Sequence, residues 1–326
     1  MGSVGIALAL LGTFFIAYSS LTAGLAASMD IDTLAANAAL LSKPWLRAAF
    51  ILALVGYGTK MGLAPMHTWK PDAYGEAPGV VGAIFAGGVT SIAFLAFLRF
   101  YVIVGRAGEA AFASRLLLPM GLFSMAVAGV FMIGQRDFKR MLAYSSVEHM
   151  GILMIGLGVG APALFATMLH VVTNGATKGV LFLSAGNIHR AYASKSTDRV
   201  RGALRRLPLS ASFFLAAFFA ITGSPPFGPF VSEFTILDAA VGAGRYALVA
   251  TFLVLLVVIF TGMSATVLKV VQGPAPEHTL SARVPETFLT VAPAVVFLAL
   301  SLGLGLYLPP PLEALIREAA ATGVSP

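Results

Sequence analysis

The sequence has no cysteine and little charge, and both absences limit what the protein can be. Without a thiol it excludes cysteine-ligated iron–sulfur clusters, cysteine zinc sites, thiol catalysis and disulfide bonds. Charged residues make up 11% of the 326 residues and hydrophobic residues 58%, whereas a soluble domain carries about a quarter charged residues. The mean hydropathy is +0.89. Because so few charges cannot cover a water-facing surface, the composition predicts an integral membrane protein surrounded by the lipid bilayer.

The apolar residues form long runs without the alternation of a β-barrel, so the predicted fold is all-α. We predict about nine transmembrane helices, near residues 4–27, 46–66, 79–104, 116–134, 141–160, 162–187, 208–240, 247–271 and 287–308. The stretch 208–240 is too long for a simple span, and Pro225, Pro226 and Pro229 interrupt it. Since proline removes a backbone donor, we expect a broken helix there and a second break at 62–65.

The basic residues predict the orientation of the chain in the membrane. The loop after the fourth predicted span carries Arg136, Lys139 and Arg140 against Asp137. The loop after the sixth carries six basic residues and one acid, namely Arg190, Lys195, Arg199, Arg201, Arg205, Arg206 and Asp198. Because cytoplasmic loops are enriched in lysine and arginine, we expect an inner-membrane, multi-pass protein with its N-terminus cytoplasmic and its C-terminus outside. These loops account for the net charge of +7, so we expect no nucleic-acid partner.

Three ionisable residues stand out within the predicted spans. Lys60 lies in the second span, Lys178 in the sixth and Glu233 in the seventh, just after the proline-rich break. A charge at membrane depth is costly unless it is paired or hydrated, so each is a candidate proton-transfer residue. Two alternatives stay open. Lys60 is also placed to snorkel from a helix end, and Glu233 to pair structurally with a basic residue on a neighbouring helix.

His170, Asn174 and Lys178 follow one another at intervals of four residues. On an α-helix this spacing puts the three side chains in one stripe about 12 Å long. A stripe of imidazole, amide and ammonium inside a helical bundle suits a hydrated proton pathway, since two of the groups bind and release protons. The alternative is a hydrogen-bonded network that holds two helices together.

Glu148 and His149 form a second polar pair in the fifth predicted span. Successive helical residues point about 100° apart, so we expect the two side chains to serve different sites. His149 extends the proton pathway and Glu148 pairs with a partner subunit in one interpretation, and both are packing residues in the other. Lys269 lies near the end of the eighth span, where snorkelling and function are equally compatible with its position.

Motifs of conventional enzymes are missing from the sequence. It contains no P-loop, GxSxG or HExxH motif, and the glycines at 156–160 lie inside an apolar span rather than at a strand-to-helix turn. We therefore expect a chain with no redox centre, no bound cofactor or metal and no catalytic site of its own. Whether it belongs to an enzyme complex is not settled by these motifs.

Four blocks of sequence resemble a known family. They are GTKMGLAPMHTWKPDAYGEAP, QRDFKRMLAYSSVEHMGIL, HVVTNGATKGVLFLSAGN and GSPPFGPFVSEF. They are similar to the proton-conducting antiporter-like subunits of respiratory complex I (NADH:quinone oxidoreductase), Mrp antiporters and membrane-bound hydrogenases. EHMG, LFLSAGNI and SPPFGPF most resemble hydrogenase-4 component F.

The resemblance implies a fourteen-helix fold with two inverted five-helix repeats, each with a broken helix. This chain resembles helices six to fourteen, so we expect it to be N-terminally truncated. Residues 1–326 then form a single transmembrane domain, in which 1–104 is the remnant of the first repeat, 115–271 the complete second repeat and 287–308 the final helix. A fragment, a mis-started gene or a separate protein that supplies the missing helices would each account for this.

The resemblance also implies residue roles. Lys60 matches the lysine of the first broken helix, Lys178 the central lysine and Glu233 the terminal acid of the second broken helix. His149 and His170 match histidines of a central hydrophilic axis. The glutamate of helix five that partners the first lysine is not encoded here, and Asn174 stands where many relatives carry histidine.

The expected function is that of a proton-translocating membrane subunit in a redox-driven complex of hydrogenase-4 or complex I type. Its partners would be the other membrane and peripheral subunits of that complex. Electron transfer elsewhere in the assembly would shift the pairing of Lys60, then the proton affinity of Lys178, and Glu233 would pass a proton outward. The alternatives are a subunit of an Mrp-type cation/proton antiporter and a membrane anchor that conducts nothing.

Overall fold

The computed structural model describes residues 2–274 and 285–322. Within these ranges the chain folds into α-helices joined mostly by short turns: α1 (Gly2–Leu21), α2 (Ile31–Ala36), α3 (Lys43–Met61), α4 (Trp69–Glu76), α5 (Gly79–Ala83), α6 (Thr90–Val104), α7 (Ala110–Met132), α8 (Phe138–Val159), α9 (Ala161–Tyr192), α10 (Ala203–Arg206), α11 (Pro208–Ile221), α12 (Gly228–Gly242), α13 (Tyr246–Val271), α14 (Phe288–Leu306) and α15 (Pro310–Thr322). Two π-helical segments, Ile84–Val89 and Gly105–Glu109, continue α5 into α6 and α6 into α7.

The predicted all-α membrane architecture is confirmed, because each predicted span falls on a helix or on a pair of shorter helices. By length and composition, five described helical stretches are able to cross a membrane: Gly2–Leu21, Gly79–Met132, Phe138–Val159, Tyr246–Val271 and Phe288–Leu306. Pro208–Ile221 is apolar but shorter, since the break after it divides the seventh predicted span.

The stretch Gly79–Met132 contains two passes rather than one. Gly108 has a φ of 77°, in the left-handed region that favours glycine, and it separates α6 from α7. Glu109 then accepts hydrogen bonds from Arg47 near the start of α3. Further along α7, the Ser124 hydroxyl accepts a hydrogen bond from the backbone of Ala64, just beyond the end of α3. The chain therefore turns back at Gly108, as the separate predicted spans require.

Both predicted helix breaks are present. α11 ends at Ile221 and α12 begins at Gly228, so the proline-rich segment 222–227 separates two helices of 14 and 15 residues. α3 ends at Met61, and Gly62 adopts a left-handed conformation with φ 80°. A Cβ atom on Gly62 would lie 2.4 Å from Cδ of Lys70, so this position requires glycine for space as well as for conformation.

Lys70 is a fully buried lysine that lies beyond the end of α3. Its ammonium donates hydrogen bonds to the backbone carbonyls of Met61, at 2.5 Å, and Ser146, at 3.4 Å. It also lies 5.4 Å from the ring centroid of Tyr74. The last carbonyls of a helix have no partner within the helix and carry partial negative charge. Lys70 therefore caps the end of α3 and fastens it to α8.

The two basic loops lie on the same side of the molecule, as predicted. The backbone N–H of Thr197 donates to the carbonyl of Arg136 at 2.8 Å, and the N–H of Phe138 donates to the carbonyl of Lys195 at 3.2 Å. Lys195 also pairs with Glu76 and, at 3.4 Å, with Asp137. The hydrogen bond from Lys195 holds the pKa of the Glu76 carboxyl below its usual value. Three polar segments thus meet at one end of the helices.

α8 and α9 occupy the centre of the bundle. In the membrane-length window of α8 every residue is buried by other helices, and α9 extends over 32 residues. Two hydrophobic clusters flank this pair. One includes Phe138, Phe182 and Phe214, and the other includes Phe50 and Phe97, while α8 and α9 contribute residues to both. Polar side chains on α8 and α9 are consequently enclosed by protein rather than by lipid.

Glycines set the spacing between α1 and α3. A Cβ atom on Gly56 would lie 2.4 Å from the backbone nitrogen of Ala9, and one on Gly5 would lie 2.7 Å from Thr59. Gly12 approaches the backbone of Ala49 in the same way. Because lipid tails are as apolar as the side chains, close backbone contact of this kind is a main source of helix association in membranes.

We expect Gly56→Val to destabilise the protein, because the new side chain overlaps the backbone of α1. Overpacking typically costs about 1–3 kcal/mol. Gly303→Val is the matched control, since Gly303 also lies within a helix and has open space where its side chain would be. The measurement is the thermal unfolding temperature of each variant in detergent. Equal unfolding temperatures for the two variants would show that the close contact of α1 and α3 does not matter for stability.

Candidate functional site

Five ionisable side chains lie close together in the centre of the bundle, and we call them the ionisable cluster. Each is at most 3% exposed. Three neighbouring helices supply them: α8 carries Glu148 and His149, α9 carries His170 and Lys178, and α12 carries Glu233. Their burial follows from the position of α8 and α9 between the two hydrophobic clusters. The structure thus brings four of the five predicted proton-transfer residues together.

The two histidines form the middle of the cluster. Nδ1 of His149 lies 3.0 Å from Nε2 of His170, and the rings stack with an interplanar angle of 24°. The other ring nitrogen of His170 lies 2.8 Å from the hydroxyl of Ser232 on α12. Each of these contacts fixes a ring nitrogen at hydrogen-bonding distance from its neighbour. A proton held on one imidazole therefore has a direct acceptor on the other.

Glu233 lies at the edge of the cluster that faces the helix break. One of its carboxylate oxygens is 3.8 Å from Nδ1 of His149. The other points to Gly223, where a Cβ atom would come within 2.5 Å of it. Gly223 is half-buried and Pro225 and Pro226 in the same turn are exposed. Glu233 is thus a buried acid that lies beside the turn of the break.

Glu148 and His149 serve one site, which corrects the expectation that adjacent residues on a helix would diverge. An oxygen of Glu148 lies 3.9 Å from Nε2 of His149. The two side chains leave the helix about 100° apart. They still meet because the imidazole ring of His149 has one nitrogen facing Glu148 and the other facing His170. α8 is also buried on every side, so neither residue has a solvent face to turn to.

Lys178 connects to the other members of the cluster through Ser145. Its ammonium donates a 2.6 Å hydrogen bond to the hydroxyl of Ser145 on α8. The Ser145 hydroxyl also interacts with the carboxylate of Glu148, three residues further along α8. Residues three and four apart share one face of a helix. Ser145, Glu148 and His149 consequently present a polar face of α8 to Lys178 and His170 on α9.

Asn174 lies between His170 and Lys178 on the same face of α9, as the spacing predicted. It is fully buried, and among the described residues neither its amide nitrogen nor its amide oxygen has a hydrogen-bond partner. The same holds for one oxygen of Glu148 and one of Glu233. Buried polar groups without partners are rare and costly in stable folds, so the cluster has free donor and acceptor capacity along its length.

Two lysines of the sequence prediction lie outside the cluster. Lys60 is exposed, in the last turn of α3, and its role in proton transfer stays a prediction. The packed face of α3 is the one that meets α1 and α6, and Lys60 points away from it. Lys269 is also exposed, in the last turn of α13. Both positions fit the snorkelling alternative better than a buried pathway.

Sequence reasoning missed the two serines that join the cluster, Ser145 and Ser232. A signal existed for each. Ser145 lies three and four residues before Glu148 and His149, on the same helical face, and Ser232 directly precedes Glu233. Serines within apolar spans are so common that this spacing is informative only after a neighbouring helix is known to carry the complementary group.

Among the described residues, one group has the composition and spacing of a metal-binding site. His149, His170 and Glu233 each offer a ligand atom, and these atoms lie within 4.8 Å of one another. The two imidazoles and the carboxylate are ordinary zinc ligands. The same three residues therefore allow proton exchange and metal coordination.

Comparison with known proteins identifies the family. Residues 2–260 match the family described as NADH:quinone oxidoreductase/Mrp antiporter, transmembrane. The chain is 38% identical over 276 residues to a hydrogenase-4 component F homologue of Methylacidiphilum infernorum, covering 83% of this chain and 57% of that protein. It is 32% identical over 305 residues to NADH-quinone oxidoreductase subunit N of Acidithiobacillus ferrooxidans, covering 90% of this chain and 61% of the relative. The chain thus spans about three fifths of the length of these relatives.

Solved structures show the same fold. A subunit in respiratory complex I of Thermus thermophilus superimposes on 99% of this chain with a TM-score of 0.73 and 27% identity, and the match covers 67% of that subunit. A subunit of an archaeal membrane-bound sulfane sulfur reductase superimposes on the whole chain with a TM-score of 0.86 at 23% identity, over 64% of its length. With the family match over most of its length, the chain belongs to the NADH:quinone oxidoreductase/Mrp antiporter transmembrane family.

Proposed function

We propose that this chain is a proton-translocating membrane subunit of a redox-driven complex, of the hydrogenase-4 or NADH:quinone oxidoreductase kind. The observation that carries the proposal is a continuous buried series of ionisable and hydroxyl groups. It runs from Lys178 through Ser145, Glu148 and His149 to His170 and Glu233. The separations Lys178–Ser145, Glu148–His149, His149–His170 and His149–Glu233 are all below 4 Å, within reach of direct transfer or of one bridging water.

The chemistry of each group suits one step of proton movement. Lys178 interacts electrostatically with both Glu148 and Glu233, so its charge influences both acids at once. A proton that leaves Lys178 passes to Glu148 through the Ser145 hydroxyl, which both donates and accepts. The histidine pair then exchanges the proton, since each imidazole has one nitrogen for release and one for uptake. Glu233 delivers it to the helix break.

The ligand atoms of the cluster favour protons over sodium as the transported ion. Sodium, like other hard cations, binds best to sites made of oxygen atoms, whereas here two imidazoles lie in the middle of the site and an ammonium lies beside the carboxylates. In a subunit of an Mrp-type cation/proton antiporter, the same cluster would transport the protons but not the cation. The redox-driven assignment draws on the sequence likeness to hydrogenase-4 and NADH-quinone oxidoreductase subunits. Coupling to electron transfer would then come from partner subunits that contact the exposed surface around Lys60.

The proposed orientation places the basic loops in the cytoplasm, in an inner membrane. The supporting observation is that the two basic loops meet at one end of the molecule, together with α4. Cytoplasmic surfaces of membrane proteins carry such an excess of lysine and arginine. The N-terminus of α1 lies at the same end, since Gly5 packs against Thr59 in the last turn of α3. The end of α14 then faces the outside.

Lys178→Ala is expected to abolish proton translocation while the subunit still assembles, because it removes the amine that begins the buried series and donates to Ser145. Lys269→Ala is the matched control, since it removes a lysine that is exposed at the end of a neighbouring helix. The measurement is the pH change across proteoliposomes that contain the assembled complex, driven by its electron donor. Wild-type pH changes in the Lys178 variant would overturn the proposal.

Glu233→Gln is expected to reduce translocation at least tenfold, while Glu233→Asp retains part of the activity. The amide keeps the shape and hydrogen bonding of the acid but cannot take up and release a proton, whereas aspartate can. Proton transfer by a positioned side chain typically contributes a factor of about 10²–10⁴. The same proteoliposome assay compares the two variants. Equal activities would show that Glu233 has only a structural role.

A further inference from the structure

We infer that His149, His170 and Glu233 form a binding site for a borderline transition-metal dication of the Zn²⁺ class. The first argument is distance. Two ligand atoms bound to one tetrahedral zinc lie about 3.3 Å apart, given Zn–N and Zn–O bonds of about 2.0–2.1 Å. Nδ1 of His149 is 3.0 Å from Nε2 of His170 and 3.8 Å from an oxygen of Glu233. These two separations lie on either side of the ideal value, and all three ligand atoms lie within 4.8 Å of one another, so side-chain shifts of about an ångström bring them onto one ion.

The second argument concerns the atoms behind the ligands. A histidine that binds a metal usually donates its other ring N–H to an oxygen, which fixes the tautomer and the ring orientation. Nδ1 of His170 lies 2.8 Å from the hydroxyl of Ser232, which in turn donates to the backbone of Pro229 at 2.9 Å. Nε2 of His149 faces the carboxylate of Glu148 at 3.9 Å. His170 is thus held with its metal-facing nitrogen turned towards the other ligand atoms, and the carboxylate of Glu148 lies behind His149 without a hydrogen bond to it.

The third argument is access. A metal site needs an entry path as well as ligands. The second carboxylate oxygen of Glu233 points to Gly223, in the half-buried turn between α11 and α12. A residue with a side chain at Gly223 would block this approach, because its Cβ atom would lie 2.5 Å from the carboxylate. A water molecule would take the fourth coordination position, as in zinc sites with three protein ligands.

Charge makes metal binding depend on Lys178. A dication would be balanced by the carboxylates of Glu148 and Glu233, and Lys178 interacts with the same two groups. The ammonium and the metal therefore compete. Two imidazoles also discriminate against hard cations, which prefer oxygen ligands, so Mg²⁺ and Na⁺ should not displace the bound ion.

Metal binding and proton transfer exclude one another in this geometry, because both use the same lone pairs of His149, His170 and Glu233. This consequence rests on the proposed function, but the binding site does not. If the protein binds the metal but does not translocate protons, the inferred metal site stands and the proposed function is wrong. If it translocates protons but binds no metal, the proposed function stands and the inferred metal site is wrong.

The test uses the full chain, purified in detergent and treated with a chelator, and titrated with Co²⁺ and then Zn²⁺. We expect one equivalent of Co²⁺ with the intense visible absorption of a four-coordinate site, displaced by Zn²⁺ and not by excess Mg²⁺. His149→Gln, His170→Gln and Glu233→Gln should each weaken binding at least tenfold. Ser232→Ala, which removes only the oxygen behind His170, should weaken it about tenfold. The control is His189→Gln, which should bind Co²⁺ like the wild type. His189 is a half-buried residue in the last turn of α9.

Lys178→Met gives a result that misfolding cannot imitate. Removing the competing ammonium should tighten Zn²⁺ binding, on the order of tenfold for a buried charge at this range. Three results would overturn the inference: unchanged Co²⁺ spectra in all three ligand variants, loss of binding in the His189 control, or weaker binding in the Lys178 variant. The expected combination is loss in the ligand variants together with gain in the Lys178 variant.

Discussion

The ionisable cluster depends on groups of opposite charge that lie together in one enclosed volume. A single charge buried in a bilayer protein is costly, and removing one partner of a buried pair leaves an uncompensated charge. Here an ammonium, two carboxylates and two imidazoles occupy one enclosed volume between α8, α9 and α12. The serines at 145 and 232 supply hydroxyls that accept or donate according to need. The rest of the architecture positions these groups and keeps lipid away from them.

Small residues determine the distances at which the cluster forms. A Cβ atom on Gly156 of α8 would overlap Thr167 of α9, and one on Gly228 of α12 would overlap Thr173 of α9. On the far side, Gly305 of α14 approaches the backbone of Pro226 in the break. Each contact lets two helix backbones come closer than ordinary side chains would allow. The short reach from Glu148, His149 and Glu233 to their neighbours depends on these close approaches.

The break between α11 and α12 has two consequences for function. It leaves backbone groups unpaired in a position where lipid cannot satisfy them, so it must be covered by protein or reached by water. It also ends beside Glu233, which is thereby the member of the cluster nearest to the surface. A proton leaving the cluster and a metal ion entering it would use the same opening. For this reason a single structural element controls both of the chemistries proposed for the site.

The sequence by itself determined the class of protein, the positions of the spans, the two helix breaks and the stripe of His170, Asn174 and Lys178. These properties follow from hydrophobicity, from proline and from a fixed helical period, all of which act over short stretches of chain. The sequence also carried enough similarity to indicate the family. It could not show which helix faces meet, because that depends on contacts between residues far apart in the chain.

The tertiary structure decided which ionisable residues share a site. It turned Lys60 outward and Lys70 inward, since Lys60 lies in the last turn of α3 and Lys70 lies beyond the break at Gly62, where it reaches the carbonyl of Met61. It also placed Glu148 beside His149, because α8 is buried along its length and both side chains lie among the polar groups of α8 and α9. Local sequence fixes the direction of a side chain relative to its own helix, whereas packing against other helices decides what that direction meets.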